Sequence, residues 1–180
     1  MKNPCLVVID VQEKLYPVVQ GKKNFLRNLE ILIRGFKLLD LPILVTEQVP
    51  HKLGHTVNSV RSILSDVKPI PKSSFSCASD DRFNSKCDEL VDVDGYVLAG
   101  IETHICVYQT ERQMSLLGKH VEVVADAVSS RKKTNHDVAL DRIRNSGGFL
   151  TTTEMILFEL KGNAEGNMFR QLFYWQPKKY

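Results

Sequence analysis

Short apolar runs alternate with segments of helical periodicity along most of this 180-residue chain. The runs are bounded by polar or turn residues and are mostly rich in Val, Ile or Leu, which is typical of strands buried on both faces of a parallel sheet. They lie at Cys5–Ile9, Ile43–Thr46, Tyr96–Ala99, Val121–Ala125 and Phe149–Thr151, with a weaker, irregular candidate at Val67–Ile70. The alternation predicts an α/β fold with helices on both faces of a mostly parallel, six-stranded sheet, a three-layer α-β-α architecture.

Helical spacing of apolar residues links these strands. The first helical segment, Asn24–Leu39, is followed by Pro42, and another, Ile105–Leu117, is followed by Gly118, both of which are common beyond a helix end. The remaining segments are Asp80–Leu90, Asn135–Asn145, Thr153–Leu160 and a C-terminal segment at about 164–176. Because the sequence contains no internal repeat or linker, we expect one domain over residues 1–180.

The order of the strands places two polar residues at one edge of the predicted sheet. A common, Rossmann-like order for six strands is 3-2-1-4-5-6, in which strands 1 and 4 are neighbours. Ligands of such sheets bind beyond the carboxyl ends of the strands at that point. Asp10 follows strand 1 and Cys106 follows strand 4. We therefore expect both residues to reach the same crevice.

Composition and charge narrow the functional classes. Hydrophobic residues make up 43% and charged residues 25% of the chain, and the net charge is +3, too small to indicate a nucleic-acid partner. The N-terminal apolar run ends at Asp10, too early for a signal peptide, and no stretch approaches membrane-spanning length. The four cysteines show no CxxC spacing, which favours free thiols. We expect a cytoplasmic protein with a small-molecule substrate and no membrane or nucleic-acid partner.

Three residues have side chains suited to covalent catalysis. Cys106 falls in the first turn of a predicted helix, where free N–H groups and the helix dipole favour a thiolate and can bind an oxyanion; the alternative is a small buried core residue. Asp10 is either a general base or the N-terminal cap of the next element. Lys72 either keeps Asp10 and a thiolate charged or is a surface lysine. His104 and His136 are rival bases for Cys106.

Three sequence motifs resemble those of one enzyme family. The segments "VVIDVQ" with Asp10, "PKSSFS" with Lys72 and "GIETHICV" with Cys106 resemble the Asp–Lys–Cys triad of the isochorismatase-like cysteine hydrolases, in the same order and spacing from about Leu6 to Leu160. The segments "LVTEQVPHKLGHT" and "TTTEMILFEL" resemble the isochorismatase domain-containing subgroup more than nicotinamidases.

The resemblance implies a role for each of these residues. Cys106 is expected to be the nucleophile, Asp10 the general base and acid, and Lys72 the group that orients and polarises both. A cis peptide bond is implied between Ile101 and Glu102, so that the backbone N–H groups of Glu102 and Cys106 form the oxyanion hole. The implied reaction is hydrolysis of an amide-like C–N bond through a thioester, on an unknown substrate.

The same resemblance bears on metals, assembly and the pocket. Nicotinamidases of the family bind a metal through an Asp-x-His stretch; here Glu47, His51 and His55 have suitable chemistry but not that spacing, so neither metal nor other cofactor is expected. Family members are often oligomeric, which predicts a homo-oligomer. The alternative function is a non-catalytic interaction protein that keeps the fold, favoured by the aromatic C-terminal segment. Candidate pocket residues are Gln12, Leu15, Tyr16, Gln48, Phe75 and His104.

Overall fold

A single six-stranded sheet forms the centre of the computed structural model, which describes residues 1–175. The strands are β1 Pro4–Ile9, β2 Ile43–Gln48, β3 Ile70–Lys72, β4 Gly95–Ile101, β5 Val121–Ser129 and β6 Phe149–Thr151. Every strand pair is parallel, and the order is β3-β2-β1-β4-β5-β6. The predicted α/β class and the predicted strand order are therefore confirmed.

Helices cover both faces of the sheet, because its central strands carry apolar side chains on both sides. Along β1, Leu6 and Val8 face one apolar cluster, whereas Cys5, Val7 and Ile9 face the other. The helices are α1 Lys22–Leu38, α2 Pro50–Leu53, α3 Asn58–Ile63, α4 Asp81–Asp88, α5 Tyr108–Leu116, α6 Lys133–Asn145, α7 Thr153–Lys161 and α8 Gly166–Trp175. The first cluster is covered mainly by α1, α3, α7 and α8, and the second by α4, α5 and α6.

The third strand differs from its predicted position. It was expected at Val67–Ile70 and lies at Ile70–Lys72, because only these residues come alongside β2, with Lys72 opposite Gln48. β3 is an edge strand, so Pro71 is tolerated although it lacks an N–H group. The shift makes Lys72 the last residue of a strand.

Two further differences concern the helices. The predicted regular helix Ile105–Leu117 begins instead as a π-helical turn, Thr103–Val107, and continues as α5. The short helices α2 and α3 were not predicted. The expected C-terminal segment corresponds to α8, and position 176 of that prediction lies outside the described residues. Among residues 1–175, no helix is both long and apolar enough to cross a membrane.

Candidate active site

Asp10, Lys72 and Cys106 meet at the carboxyl edge of the sheet. Asp10 directly follows β1 and adopts a left-handed backbone conformation with φ 53°. Lys72 ends β3, and Cys106 lies in the 103–107 turn after β4. Because β1 pairs with β4 on one side and with β2 on the other, the sheet order brings all three residues together. All three are buried.

Lys72 and Asp10 form a buried ion pair. Lys72 Nζ lies 2.7 Å from Asp10 Oδ2, and both side chains are 0% exposed. The ammonium also donates to Gln48 Oε1 at 2.6 Å and to the carbonyl oxygens of Ser74 at 3.1 Å and Phe75 at 3.2 Å. Burial is the largest influence and lowers the pKa of Lys72, but the charge and hydrogen bond of Asp10, together with Cys77 and Cys106, leave that pKa above its usual value. Since an ammonium has three N–H groups, these acceptors leave none for a ligand.

The thiol of Cys106 lies beside the carboxylate of Asp10. Burial raises the pKa of Cys106 far above its usual value, the negative charge of Asp10 raises it further, and Lys72 opposes both. The sequence-based expectation of a thiol with a lowered pKa is therefore wrong. Lys72 is paired with Asp10, so its charge is not available to the sulfur alone. The site therefore holds the neutral thiol of Cys106 next to the ion pair of Asp10 and Lys72.

The backbone before Cys106 is tightly constrained. The Ile101–Glu102 peptide bond is cis, and the carbonyl oxygen of Glu102 accepts from the N–H groups of Ile105 at 3.0 Å and Val107 at 3.3 Å. Gly100 has φ 125°, and a Cβ at this position would lie 2.1 Å from the carbonyl oxygen of Ile9. Only glycine fits where β4 passes this close to the residue before Asp10.

Two threonines that the sequence reasoning did not single out connect the site. Thr46 donates its hydroxyl to Asp10 Oδ1 at 2.8 Å. Thr110 accepts from the N–H of Cys77 at 2.9 Å and donates to the carbonyl oxygen of Cys106 at 2.6 Å. Cys77 Sγ lies 3.9 Å from Thr46 Oγ1, and burial raises the pKa of Cys77 to about 12. The strand period would have placed Thr46 and Gln48 on one face of β2, and helical spacing places Thr110 on one side of its helix with Val107 and Met114, all three of which are buried. Neither pattern indicates a role at the site.

The two histidines near Cys106 have other partners. His104 contacts Ser130 Oγ through Nδ1 at 3.0 Å and Asn135 Nδ2 through Nε2 at 3.2 Å. His136 Nδ1 lies 2.9 Å from Thr103 Oγ1. Both rings therefore join the 103–107 turn to the start of α6, and this geometry gives Cys106 no histidine base.

Glu102 fastens the same turn to the end of β5. Its carboxylate accepts from the backbone N–H of Arg131 at 2.9 Å and from Arg131 Nε at 3.1 Å. The Glu102 side chain is buried and the Arg131 side chain is 57% exposed. The side chain of Glu102 thus holds the loop before α6, which leaves only its backbone for the expected oxyanion role.

The candidate pocket residues fall into different environments. Gln12 is buried and binds β2 through its side chain, donating to the carbonyl oxygen of Gln48 at 3.0 Å and accepting from the N–H of Gln48 at 2.7 Å. Leu15 and Tyr16 pack against the core near α1. Phe75 is 53% exposed. Their role as substrate contacts stays a prediction.

Two surface grooves lie next to this region. Phe75 lines a groove of about 300 Å³ with Tyr108 and Arg112, and His104 lines another of about 240 Å³ with Tyr108, Asn135 and Arg142. Tyr108, two positions after Cys106, lines both grooves. Neither groove is lined by Asp10, Lys72 or Cys106, in agreement with the burial of these three residues.

The three residues with metal-ligand chemistry do not share one centre. Glu47 Oε2 lies 3.1 Å from His55 Nδ1, while Glu47 Oε1 accepts from the N–H of Thr56 at 2.7 Å and from its hydroxyl at 2.8 Å. His51 is exposed in α2. The part of the chain that the structure describes contains no group of three or more His, Cys, Asp or Glu side chains with metal-binding geometry. Glu47 fixes the loop before α3.

Comparison with known proteins identifies the family. Residues 4–155 match the model of the Isochorismatase domain. The chain belongs to the isochorismatase family. "Isochorismatase domain-containing protein 2" from Danio rerio is 35% identical over 171 residues, which cover 95% of this chain and 85% of that protein. The predicted family and subgroup are confirmed.

Solved structures of isochorismatase-fold proteins superpose closely on the chain. A structure described as a MAR1 ribonuclease from Caenorhabditis elegans has a TM-score of 0.88 and 32% identity, and the match covers 97% of this chain and 89% of that one. The YcaC gene product of Escherichia coli, described as an octameric hydrolase of unknown specificity, has a TM-score of 0.89 and 21% identity, covering 97% and 88%. The second likeness concerns the fold alone. The chain thus has the fold of the isochorismatase-family hydrolases.

Proposed function

We propose that this isochorismatase-family protein is a cysteine hydrolase that cleaves the C–N bond of a small amide-like molecule. The observation that carries the proposal is the buried Lys72–Asp10 ion pair beside the thiol of Cys106. A carboxylate held ionised next to a neutral thiol is a general base placed against a nucleophile.

The reaction begins with proton transfer coupled to attack. As Cys106 Sγ bonds to the carbonyl carbon of the substrate, its proton passes to the carboxylate of Asp10. The carbonyl oxygen becomes an oxyanion, for which the backbone N–H groups of Glu102 and Cys106 are the proposed donors. Lys72 acts through its charge, because its N–H groups are already engaged.

The second half of the cycle reverses the proton transfer. Asp10 gives its proton to the leaving nitrogen, the C–N bond breaks, and the acyl group remains on Cys106 as a thioester. Water then attacks the thioester while Asp10 accepts a proton from it, and the thiolate of Cys106 leaves and is reprotonated by Asp10. The products are a carboxylic acid and an amine or ammonia.

Assembly and location remain proposals. The octameric Escherichia coli neighbour supports a homo-oligomer here, and the cytoplasmic location rests on the sequence alone. A non-catalytic interaction protein is the alternative, and exposed apolar side chains near the site, Phe75 at 53% and Leu116 at 70%, are the feature that favours it.

RNA is the second substrate class that one comparison favours. The Caenorhabditis elegans structure, at 32% identity, is described as a ribonuclease. We prefer the amide-like substrate because the triad is buried and the net charge is only +3, whereas binding of a phosphate backbone relies on clustered basic residues.

The test combines turnover with trapping of the intermediate. Wild-type protein, Cys106→Ala, Asp10→Asn and the distant thiol control Cys87→Ala are incubated with a panel of small amides and, separately, with single-stranded RNA. We expect release of ammonia or amine from at least one amide and an acyl adduct on Cys106 in the intact mass. Asp10→Asn should reduce turnover by about 10²–10⁴-fold, the usual contribution of a general acid–base. Full turnover by Cys106→Ala, or cleavage of RNA without any amide turnover, would contradict the proposal.

A further inference from the structure

Strand β2 lies between the two strands that carry the ion pair. β1 pairs with β2 so that Ile9, the residue before Asp10, is opposite Thr46, and β2 pairs with β3 so that Gln48 is opposite Lys72. Side chains two positions apart on a strand point to the same face of the sheet. Thr46 and Gln48 therefore project together towards the space in which Asp10 and Lys72 meet.

Each of these two side chains binds one member of the ion pair. The hydroxyl of Thr46 donates to Asp10 Oδ1 at 2.8 Å, and Asp10 Oδ2 accepts from Lys72 at 2.7 Å. Gln48 Oε1 accepts from Lys72 Nζ at 2.6 Å. Both carboxylate oxygens of Asp10 thus accept a hydrogen bond, and Lys72 Nζ donates to Gln48 as well as to Asp10.

The orientation of Gln48 is itself fixed. Its Nε2 donates to the carbonyl oxygen of Ser73 at 2.8 Å, so its Oε1 must face the ammonium. The opposite amide orientation would place an N–H group against a positive charge. The side chain of Gln12 also binds both backbone groups of Gln48. Gln48 is therefore a rigid acceptor for Lys72.

We propose that Thr46 and Gln48 are positioning residues that keep the Asp10–Lys72 pair ionised and aimed at Cys106. The inference rests on the proposed function, because it assigns the two residues to the general base and its cation. Thr46 favours the ionised form of Asp10 by donating to it, and Gln48 keeps Lys72 within reach of the carboxylate. The charged or titratable groups that face Asp10 are Lys72 from β3, Cys106 from the 103–107 turn, and Cys77 from the loop after β3.

The pH dependence of Cys106 alkylation by iodoacetamide tests this role without a known substrate. The rate is measured by peptide mass spectrometry between about pH 3 and pH 9, a range that spans titration of carboxylates and the onset of thiol ionisation. In the wild type the alkylation rate should fall at low pH, because Asp10 assists alkylation only while it is ionised. This low-pH fall of the rate is called the acid limb. Thr46→Val keeps the side-chain shape and removes the hydroxyl, so we expect the limb to move to higher pH by about one unit, the effect of one hydrogen bond to a charged group.

Two further variants separate positioning from stability. Thr46→Ser keeps the hydroxyl and should restore the wild-type limb. Gln48→Met removes the acceptor of Lys72 and should move the limb in the same direction as Thr46→Val; it carries the test alone if Thr46→Val does not fold. The matched control is Thr153→Val, which removes another buried hydroxyl, donated to Asp126 at 2.9 Å, and should leave the limb in place.

The outcomes distinguish this inference from the proposed function. An unchanged limb in Thr46→Val and Gln48→Met, with thermal stability lowered as in the control, would overturn the positioning role. If the variants move the limb but no amide is hydrolysed, the positioning role stands and the proposed substrate class falls. If wild type and Asp10→Asn share one profile without an acid limb, Asp10 is not the base and both proposals are wrong.

Discussion

Replacement of Lys72 by methionine measures the cost of leaving the carboxylate of Asp10 buried without its cation. The Lys72 and Asp10 side chains are both 0% exposed and lie 2.7 Å apart, so removal of the ammonium leaves a carboxylate buried with the hydroxyl of Thr46. Breaking a buried pair by removing one partner lowers the free energy of unfolding by about 3–5 kcal/mol. A chain of this size loses about 2–4 °C of melting temperature per kcal/mol, so we expect a loss of about 6–20 °C.

The double variant Asp10→Asn with Lys72→Met decides whether the uncompensated charge is responsible. Asparagine tolerates the left-handed backbone at position 10 and removes the negative charge, so we expect the double variant to be more stable than Lys72→Met. Urea unfolding followed by circular dichroism at neutral pH measures the free energies of unfolding of the wild type, Lys72→Met and the double variant. The control Lys37→Met breaks an exposed pair with Asp66 and should change the midpoint far less. A double variant no more stable than Lys72→Met would refute the reasoning.

Three further predictions concern Gly100, Glu111 and the reactivity of two free thiols. Gly100→Ala should lower the free energy of unfolding by about 3 kcal/mol or more, since its Cβ meets a β1 carbonyl oxygen, whereas Gly118→Ala, with open space around it, should show a smaller loss in the same urea assay. Burial raises the pKa of Glu111, so the protonated side chain contributes stability at low pH, and this contribution is lost as the pH rises. Glu111→Gln should therefore stabilise the protein by about 1 kcal/mol in melts at neutral pH and not at acidic pH. In native protein at mildly alkaline pH, iodoacetamide should label the half-buried Cys87 before the fully buried Cys77, as peptide mapping can show.

The fold was predictable from the sequence because the strands are buried on both faces. In β1, Cys5 to Ile9 form an unbroken apolar run whose members alternate between two cores, and the rule that places ligands at the carboxyl ends of strands located Asp10 and Cys106. β3 was misplaced for a physical reason. Its inward residue Lys72 is charged and its middle residue is Pro71, so the strand shows neither an apolar run nor an alternating pattern.

The electrostatics of the site could not be predicted in the same way. The sign of the pKa shift of Cys106 depends on how deeply the thiol is buried and on which neighbour takes up the charge of Lys72. A helix N-terminus and a nearby lysine suggested a lowered pKa, but the ammonium is saturated by Asp10, Gln48 and two carbonyl oxygens. These partners are set by the register of β2 against β3, which the sequence does not display.

A neutral thiol is compatible with the proposed nucleophile because the buried charges balance at every step. In the starting state Asp10 and Lys72 carry opposite charges and Cys106 carries none. When the proton moves to Asp10, the negative charge passes to sulfur and then to the substrate oxygen, and the net charge of the group stays zero. Separate creation of a charge in this buried site would be strongly unfavourable, whereas transfer of an existing one is not. Without Lys72, every state in this sequence carries one uncompensated negative charge, so the lysine is required for the reaction as well as for stability.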